Sequence, residues 1–369
     1  MSELRATWVF RSGRRERLEA PGHSPTEFFY GLPELRERGW KTDLLEDADL
    51  EMAPPLKPLP SLVNKFARFC GHLPLGMAMG LAKKRVQKRL PTQGPLIATT
   101  NNLGLALGLG RVRGWVRCPV VLLAMGLLPL SPSRWQLRRI GQVLEHIHMV
   151  TISKSEQAHL AKFFPERTID YIPFGVDTRF WQPAEGSNTC GDCVLAIGND
   201  ANRDWETLVA AWDETMLPLK IVTNLPVPHA PPNVEVIRGD WRKKILSDQE
   251  ILKLYQQALC VVIPLRNTIQ PAGQSVCLQA MACGRPVVMS DIAGLWDRDL
   301  LRDNQHWKLV PPGEPETLKR TVKQLVANPK NATQLGASAT QQVRSHLNTQ
   351  SMADAWERIF EPEGLIQPT

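Results

Sequence analysis

Two stretches of this chain carry residue types suited to holding a phosphate ester. The first opens Gln270-Pro271-Ala272-Gly273-Gln274-Ser275-Val276 and continues through Cys277-Leu278-Gln279-Ala280-Met281-Ala282-Cys283-Gly284-Arg285-Pro286-Val287-Val288-Met289. It follows an apolar run, Ala258 to Leu265, with the length and β-branched content of a buried strand. A helix is expected to open near Ser275, whose hydroxyl can cap a first-turn N–H, and to end at Gly284 and Pro286. The amides around Gly273, Gln274, Ser275 and Val276, with the positive end of the helix dipole, then form an anion site at the mouth of a parallel sheet. The second stretch, Gly198-Asn199-Asp200-Ala201-Asn202-Arg203-Asp204, follows another short strand and adds the guanidinium of Arg203. Arg266, at the end of the strand feeding the first loop, offers a second cation.

Other groupings carry less. Cys190-x-x-Cys193 lacks the second ligand pair of a zinc site and the context of a redox motif, so both read as linker thiols. His146-x-His148 has no third ligand nearby and reads as packing. Gly108-x-Gly110-x-x-x-Gly114 has the wrong spacing for a dinucleotide fingerprint and lies within a helix. No metal site and no cofactor are expected.

At 369 residues, 43% hydrophobic and 22% charged, the chain is globular and long enough for two domains. No window holds the roughly 18–20 apolar residues of a membrane span, and no secretory leader is evident. The expected location is cytoplasmic. Charge is uneven: residues 1–184 hold 26 Lys/Arg against 16 Asp/Glu, and residues 185–369 hold 18 against 21. Between Met52 and Leu144 there are 14 Lys/Arg and no acid. A mostly helical basic region, Ser61 to Leu90, mixes those charges with Leu and Met. It suits either an anionic membrane surface or a charged outer face on a packed helix. No nucleic-acid motif accompanies it.

Strands alternate with helices along the whole chain. Ala6–Phe10, Lys41–Leu45, Pro95–Thr100, Pro119–Met125 and His148–Ser153 read as strands of a first sheet. Ser24-Pro25-Thr26-Glu27 reads as a capped helix start, and Ser133–Ile147 as a helix. A polar stretch, Pro183 to Asp192, has linker composition, and Val194–Gly198 restarts the pattern. A helix is expected over Asp200–Trp212 and another over Ser247–Ala258. The fold class is α/β, with two doubly wound, Rossmann-like parallel sheets facing a cleft. The expected domains are 1–184, 185–348, and a C-terminal helix in 349–369 able to return to the first domain.

Several segments together resemble the retaining glycosyltransferases of family 4, which have the two-lobed GT-B architecture. Thr151-Ile152-Ser153-Lys154-Ser155 resembles a strand end of that family. Ile172-Pro173-Phe174-Gly175-Val176-Asp177-Thr178-x-Phe180 resembles its I-P-N/F-G-V-D-x-x-x-F segment, and Leu278 to Val288 resembles its L-E-A-M-A-C-G-x-P-V-V run. The likeness is strongest over about residues 150–315. It implies transfer of a sugar from a nucleotide-diphosphate sugar, with the donor on the C-terminal lobe and a glycan or lipid-linked acceptor on the N-terminal lobe. Where the family pattern has two Glu residues eight apart, this chain has Gln279 and either Pro271 or Gln270. A Gln carbonyl still accepts from a ribose hydroxyl, without the strengthening that charge brings.

The expected catalytic set is therefore Arg203, Arg266 and Gln270. The donor-binding set is Gly273, Gln274, Ser275, Val276, Gln279 and Asn199. Asn101 and Asn102, at an N-lobe strand end, are the acceptor-side candidates. The alternative reading is a non-catalytic GT-B relative that binds a nucleotide or glycan.

Overall fold

The computed structural model describes residues 4–20, 24–52, 73–184, 191–239 and 245–360. They pack as two units. One comprises residues 4–20, 29–52, 73–172 and 353–360; the other comprises 24–28, 173–184, 191–239 and 245–352. Each is built on one six-stranded parallel sheet with helices in most of the connections between successive strands, which makes both α/β and doubly wound.

The first sheet contains β1 (Arg5–Phe10), β2 (Lys41–Glu46), β3 (Leu96–Ala98), β4 (Val120–Ala124), β5 (His148–Thr151) and β6 (Ile169–Tyr171). Their order is β2-β1-β3-β4-β5-β6. β4 reads VVLLA and is buried along its whole length, as a central parallel strand covered on both faces must be. Asn101–Val112 follows β3, capped by the Thr100 hydroxyl on Leu103 N. Ser133 and Ser153 cap Arg134–Leu144 and Lys154–Phe163 in the same way.

The second sheet contains β7 (Cys193–Ile197), β8 (Leu219–Val222), β9 (Val234–Ile237), β10 (Ala258–Ile263), β11 (Val287–Ser290) and β12 (Lys308–Val310). The order β12-β11-β10-β7-β8-β9 reverses direction between β7 and β10. Ligands of open α/β sheets bind beyond the carboxyl ends of the strands at such a point.

Local expectations were met where the signal was local. Ser247 and Glu250 form a full capping box on Asp248–Gln257. The structure departs from those expectations where the partner is distant in sequence. Arg14–Glu19 is helical although the sequence around it reads as a loop. Its opening amides, Gly13, Arg14 and Arg15, all donate to Glu46 Oε1 at 2.7–2.9 Å, a cap supplied by β2. Glu27 completes no capping box. It opens a 3-10 turn, Glu27–Phe29, and its carboxylate goes elsewhere. In the basic region, residues 61–72 lie outside the described set. The remainder is a broken run of short turns, Leu75–Ala78, Met79–Ala82 and Lys84–Gln87, rather than one long amphipathic helix. Gly80 packs against the Leu50 and Glu51 carbonyls, leaving no room for a side chain at that turn.

The helix Thr349–Phe360 divides at Met352: its last residues, from Ala353, pack with the first unit. There Trp356 stacks on Phe360, meets Trp8 edge-on and donates from Nε1 to Tyr30 O at 2.8 Å. Among the described residues, no helix is long and apolar enough to cross a membrane.

Candidate functional site

Arg203 and Gly273 meet at the reversal between β7 and β10. The helix expected at Asp200–Trp212 starts only at Trp205, because Asp204 caps it through Thr207 N at 3.1 Å. Residues 200–203 instead form a turn, held by Arg203 N on Asp200 O at 3.2 Å. That turn brings the guanidinium of Arg203 back over Gly198, so closely that a β-carbon at 198 would collide with it. The same guanidinium faces Gly273: a β-carbon there would stand 3.1 Å from Arg203 Nη1.

The Arg203 side chain is 2% exposed. Asp200 Oδ2 stands 3.1 Å from Nε as an ion pair, yet neither Nε nor Nη1 has a hydrogen-bond partner. Burial pushes the guanidinium below its ordinary pKa, against the pull of Asp200. A buried cation with two unsatisfied N–H groups is costly to maintain unless an anion completes it.

The second element of the site is the helix Gln274–Ala282. Its N-cap is Gly273 at φ +76°, a left-handed conformation natural to glycine, so Ser275 is the second helical residue and not the cap. The first intrahelical bond runs from Cys277 N to Gly273 O, which leaves the amides of Ser275 and Val276 at the open end of the dipole. These amides and Arg203 therefore converge beyond the ends of β7 and β10.

Arg266 and Gln270 shape the surrounding loops. Arg266 Nη1 donates to Arg203 O at 2.9 Å and Ala201 O at 3.4 Å, and Nη2 pairs with Glu206. Its backbone N donates to Asn202 O at 2.9 Å. Arg266 is thus a brace on the 199–206 turn, with its donors turned onto that turn. Gln270 Oε1 accepts from Asn202 Nδ2 at 3.1 Å, which joins the two loops across the site. Asn199 Nδ2 donates to Gly239 O at 2.8 Å while Oδ1 accepts from Asn224 N, linking the ends of β7, β8 and β9.

Gln279 lies on the buried side of its helix. Its Nε2 donates to Glu27 Oε1 at 2.8 Å and its Oε1 accepts from Tyr255 Oη at 3.0 Å. Trp181 Nε1 also donates to Glu27 Oε1, at 2.9 Å. Glu27 was not legible as a member of this unit, since its partners outside its own turn begin 150 residues away in sequence. In the first unit, the Asn101 amide pairs reciprocally with the backbone of Met125, at 2.9 and 3.1 Å, and Asn102 is exposed in the first helical turn. The described thiols are buried: burial pushes Cys260 up to about 12, and Cys193 is a core residue of β7 rather than a linker thiol, while Cys190 lies outside the described residues. His148 Nε2 is 2.6 Å from Asp170 across β5 and β6. No cluster able to hold a metal occurs among the described residues.

Residues 203–328, beginning at the arginine just described, match the family model of glycosyl transferases group 1. An alpha-maltose-1-phosphate synthase of Mycolicibacterium smegmatis is 24% identical over 289 residues, 66% of this chain and 72% of that protein. The sucrose-phosphate synthase of Thermosynechococcus elongatus superposes with a TM-score of 0.71 at 16% identity, covering 97% of this chain and 98% of its own. Anabaena HepE, solved in complex with UDP and glucose, has a TM-score of 0.63 at 13% identity over 98% of this chain and all of that one. These likenesses show the GT-B fold. The matched segment runs from Arg203 through the loop at 270–273 and the helix Gln274–Ala282, the elements that form the anion site.

Proposed function

We propose that this chain transfers a sugar, with retention, from a nucleotide-diphosphate sugar to a glycan or lipid-linked acceptor. The carrying observation is the buried guanidinium of Arg203, two of its N–H groups unpartnered, beside the open end of the helix Gln274–Ala282. The donor's diphosphate is the anion that fits. As the bond to the sugar breaks, negative charge grows on that diphosphate, and fixed donors such as Arg203 and the Ser275 and Val276 amides stabilise it there. Asn101 and Asn102 are the acceptor-side residues of this reading: Asn102 is exposed in the first helical turn, and Asn101 fixes that turn to the Met125 backbone. Hexosyl transfer and retention rest on the family resemblance.

A lipid-linked acceptor, and attachment to the cytoplasmic face of an anionic membrane, are supported by the acid-free stretch from Met52 to Leu144. The second reading, a nucleotide-binding relative without catalysis, is favoured by one specific observation. Gln270 and Gln279, where the family pattern has carboxylates, are both bonded to protein partners, Asn202, Glu27 and Tyr255.

Thermal unfolding with UDP, GDP and ADP, followed by donor hydrolysis, separates the readings. A ligand at 100 times its Kd adds about 2.7 kcal/mol. Protection with turnover supports the enzyme, and protection without turnover supports the binding protein. No protection by any nucleotide defeats the donor assignment.

A further inference from the structure

Gln279 is bonded in a way that says why position 279 is an amide. The network has a fixed direction: Tyr255 Oη donates to Gln279 Oε1, and Gln279 Nε2 donates to Glu27 Oε1. Trp181 Nε1 donates to the same Glu27 oxygen, and Asp177 N approaches Oε2 at 3.4 Å. Glu27, Trp181 and Gln279 are all buried, and Tyr255 is fully so. A carboxylate at 279 would stand oxygen to oxygen with Glu27 at hydrogen-bond distance. Two buried carboxyls so placed cannot both ionise and must share a proton.

We propose that Glu27, delivered by the segment 24–28, is the buried carboxylate of this network and a positioning residue of the donor site. It acts through Gln279 on the helix Gln274–Ala282, whose first turn faces Arg203. The inference rests on the donor reading above for its consequence, and on geometry alone for the pairing. Gln279 is an amide because the carboxylate has entered from position 27.

The charges around the pair are few. Asp177 is fully buried beside Glu27, and its own ion partner Arg179 stands 3.5 Å away and half-exposed. On the far side, Tyr255 carries the field of Arg203, Cys277 and Cys283. Burial pushes the Glu27 carboxyl above its ordinary range, partly offset by the bonds from Gln279 and Trp181. A second carboxyl at 279 makes protonation of the pair a requirement rather than a tendency.

The test compares Glu27→Gln, Gln279→Glu and the double exchange with the wild type. UDP affinity is read by calorimetry and unfolding temperature by calorimetric scanning, both from pH 5.5 to 8.5. Gln279→Glu is expected to bind UDP at least about tenfold more weakly at pH 8.5 and to recover toward pH 5.5, as Glu27 and the carboxyl introduced opposite it take up their shared proton. The double exchange, with one carboxylate again facing one amide, is expected to lose that pH dependence. Its affinity stays somewhat below wild type, because the Trp181 indole then faces an amide nitrogen. Glu27→Gln keeps an acceptor for Gln279 and Trp181 but turns an amide nitrogen toward Asp177 N, so it is expected to weaken UDP binding several-fold at every pH, and an unchanged affinity would remove Glu27 as a positioning residue. If Gln279→Glu and the double exchange show the same pH profile, the pairing is wrong. If Gln279→Glu fails to fold, a folded double exchange upholds the pairing and an unfolded one overturns it. A wild-type chain that ignores UDP counts against the donor reading. The pairing is then decided by whether the unfolding temperature of Gln279→Glu falls more steeply with rising pH than those of the wild type and the double exchange.

Discussion

The guanidinium of Arg203 occupies the space that a side chain on Gly198 would need. The strand end, the turn and the cation are thus one unit, and the glycine is there to let the cation in. Arg203→Met removes a buried cation whose Nε and Nη1 lack hydrogen-bond partners. It leaves behind Asp200, which is 33% exposed and can be solvated. The variant should therefore unfold at the same temperature as wild type or higher, while losing the stabilisation of about 2.7 kcal/mol that saturating UDP provides. Calorimetric scanning with and without UDP checks both halves. Survival of the UDP effect would remove Arg203 from the site.

Gly198→Ala makes the complementary prediction. A β-carbon there forces the guanidinium aside, at an overpacking cost of about 1–3 kcal/mol. Nucleotide protection should be lost, as in Arg203→Met, and here stability should fall as well. Denaturant titration of the two variants separates loss of the cation from its displacement.

Arg266→Ala tests a brace. Its donors rest on the Ala201 and Arg203 carbonyls and on Glu206, so its loss loosens the turn that aims Arg203. Hydrogen bonds to a charged group are worth about 1.5–3 kcal/mol, and half-exposure of this side chain argues for the lower end. Donor KM should rise about tenfold with a smaller change in kcat. A collapse of kcat at unchanged KM would instead place Arg266 on the reacting phosphates.

These residues also mark the boundary of what the chain shows in one dimension. Strands such as β4 and β10 are legible because burial on both faces demands an unbroken apolar run. Arg203, Gly273 and the 274–282 helix are legible because strand, loop and helix start are neighbours in sequence. The edge strands β6 and β12 have three residues each, too few to carry a period. The role of Arg266 depends on carbonyl oxygens, which no side-chain pattern reports. Glu27 is the plainest case: Ser-Pro-Thr-Glu reads as a local cap, and its carboxylate bonds across 252 residues to Gln279. Likewise the basic stretch begins one residue after Glu51, and that single acid pairs with both Lys83 and Arg85.

Glu156 gives a pH prediction with a definite sign. It is buried in the first unit, with Oε1 accepting from Leu127 N at 2.8 Å and Oε2 lacking a partner. Burial pushes its pKa up, opposed by the bonds from Gly126 and Leu127. The native state thus holds this proton more tightly than the unfolded chain does. Stability falls as pH climbs from the ordinary carboxylate range, about 4.3, through the native value. Glu156→Gln keeps the acceptor for Leu127 and abolishes the charge. It should match wild type at pH 4 and be the more stable at pH 8 by urea titration. A variant less stable than wild type at pH 8 would mean that the ionised carboxylate is the better partner.

The basic surface is tested by choosing cations according to their partners. Lys83 and Arg85 share Glu51, and Arg89 donates to Asp49 O, so three of the charges are already engaged. Lys84, Lys88, Arg113, Arg117, Arg134 and Arg138 form no ion pair among the described residues. Trp135 is 41% exposed beside Arg134 and Arg138, with the Arg139 guanidinium 5.7 Å from its ring centre. Each basic residue near an anionic bilayer contributes about 1 kcal/mol, so Arg134→Ala with Arg138→Ala should weaken binding to anionic vesicles about 30-fold. Lys83→Ala with Arg85→Ala should cost clearly less, because it also frees Glu51. Flotation with phosphatidylserine vesicles, against neutral vesicles at matched salt, reads the difference. Equal losses from the two pairs would show that only total charge matters, and binding that ignores lipid charge would remove the membrane from the proposal.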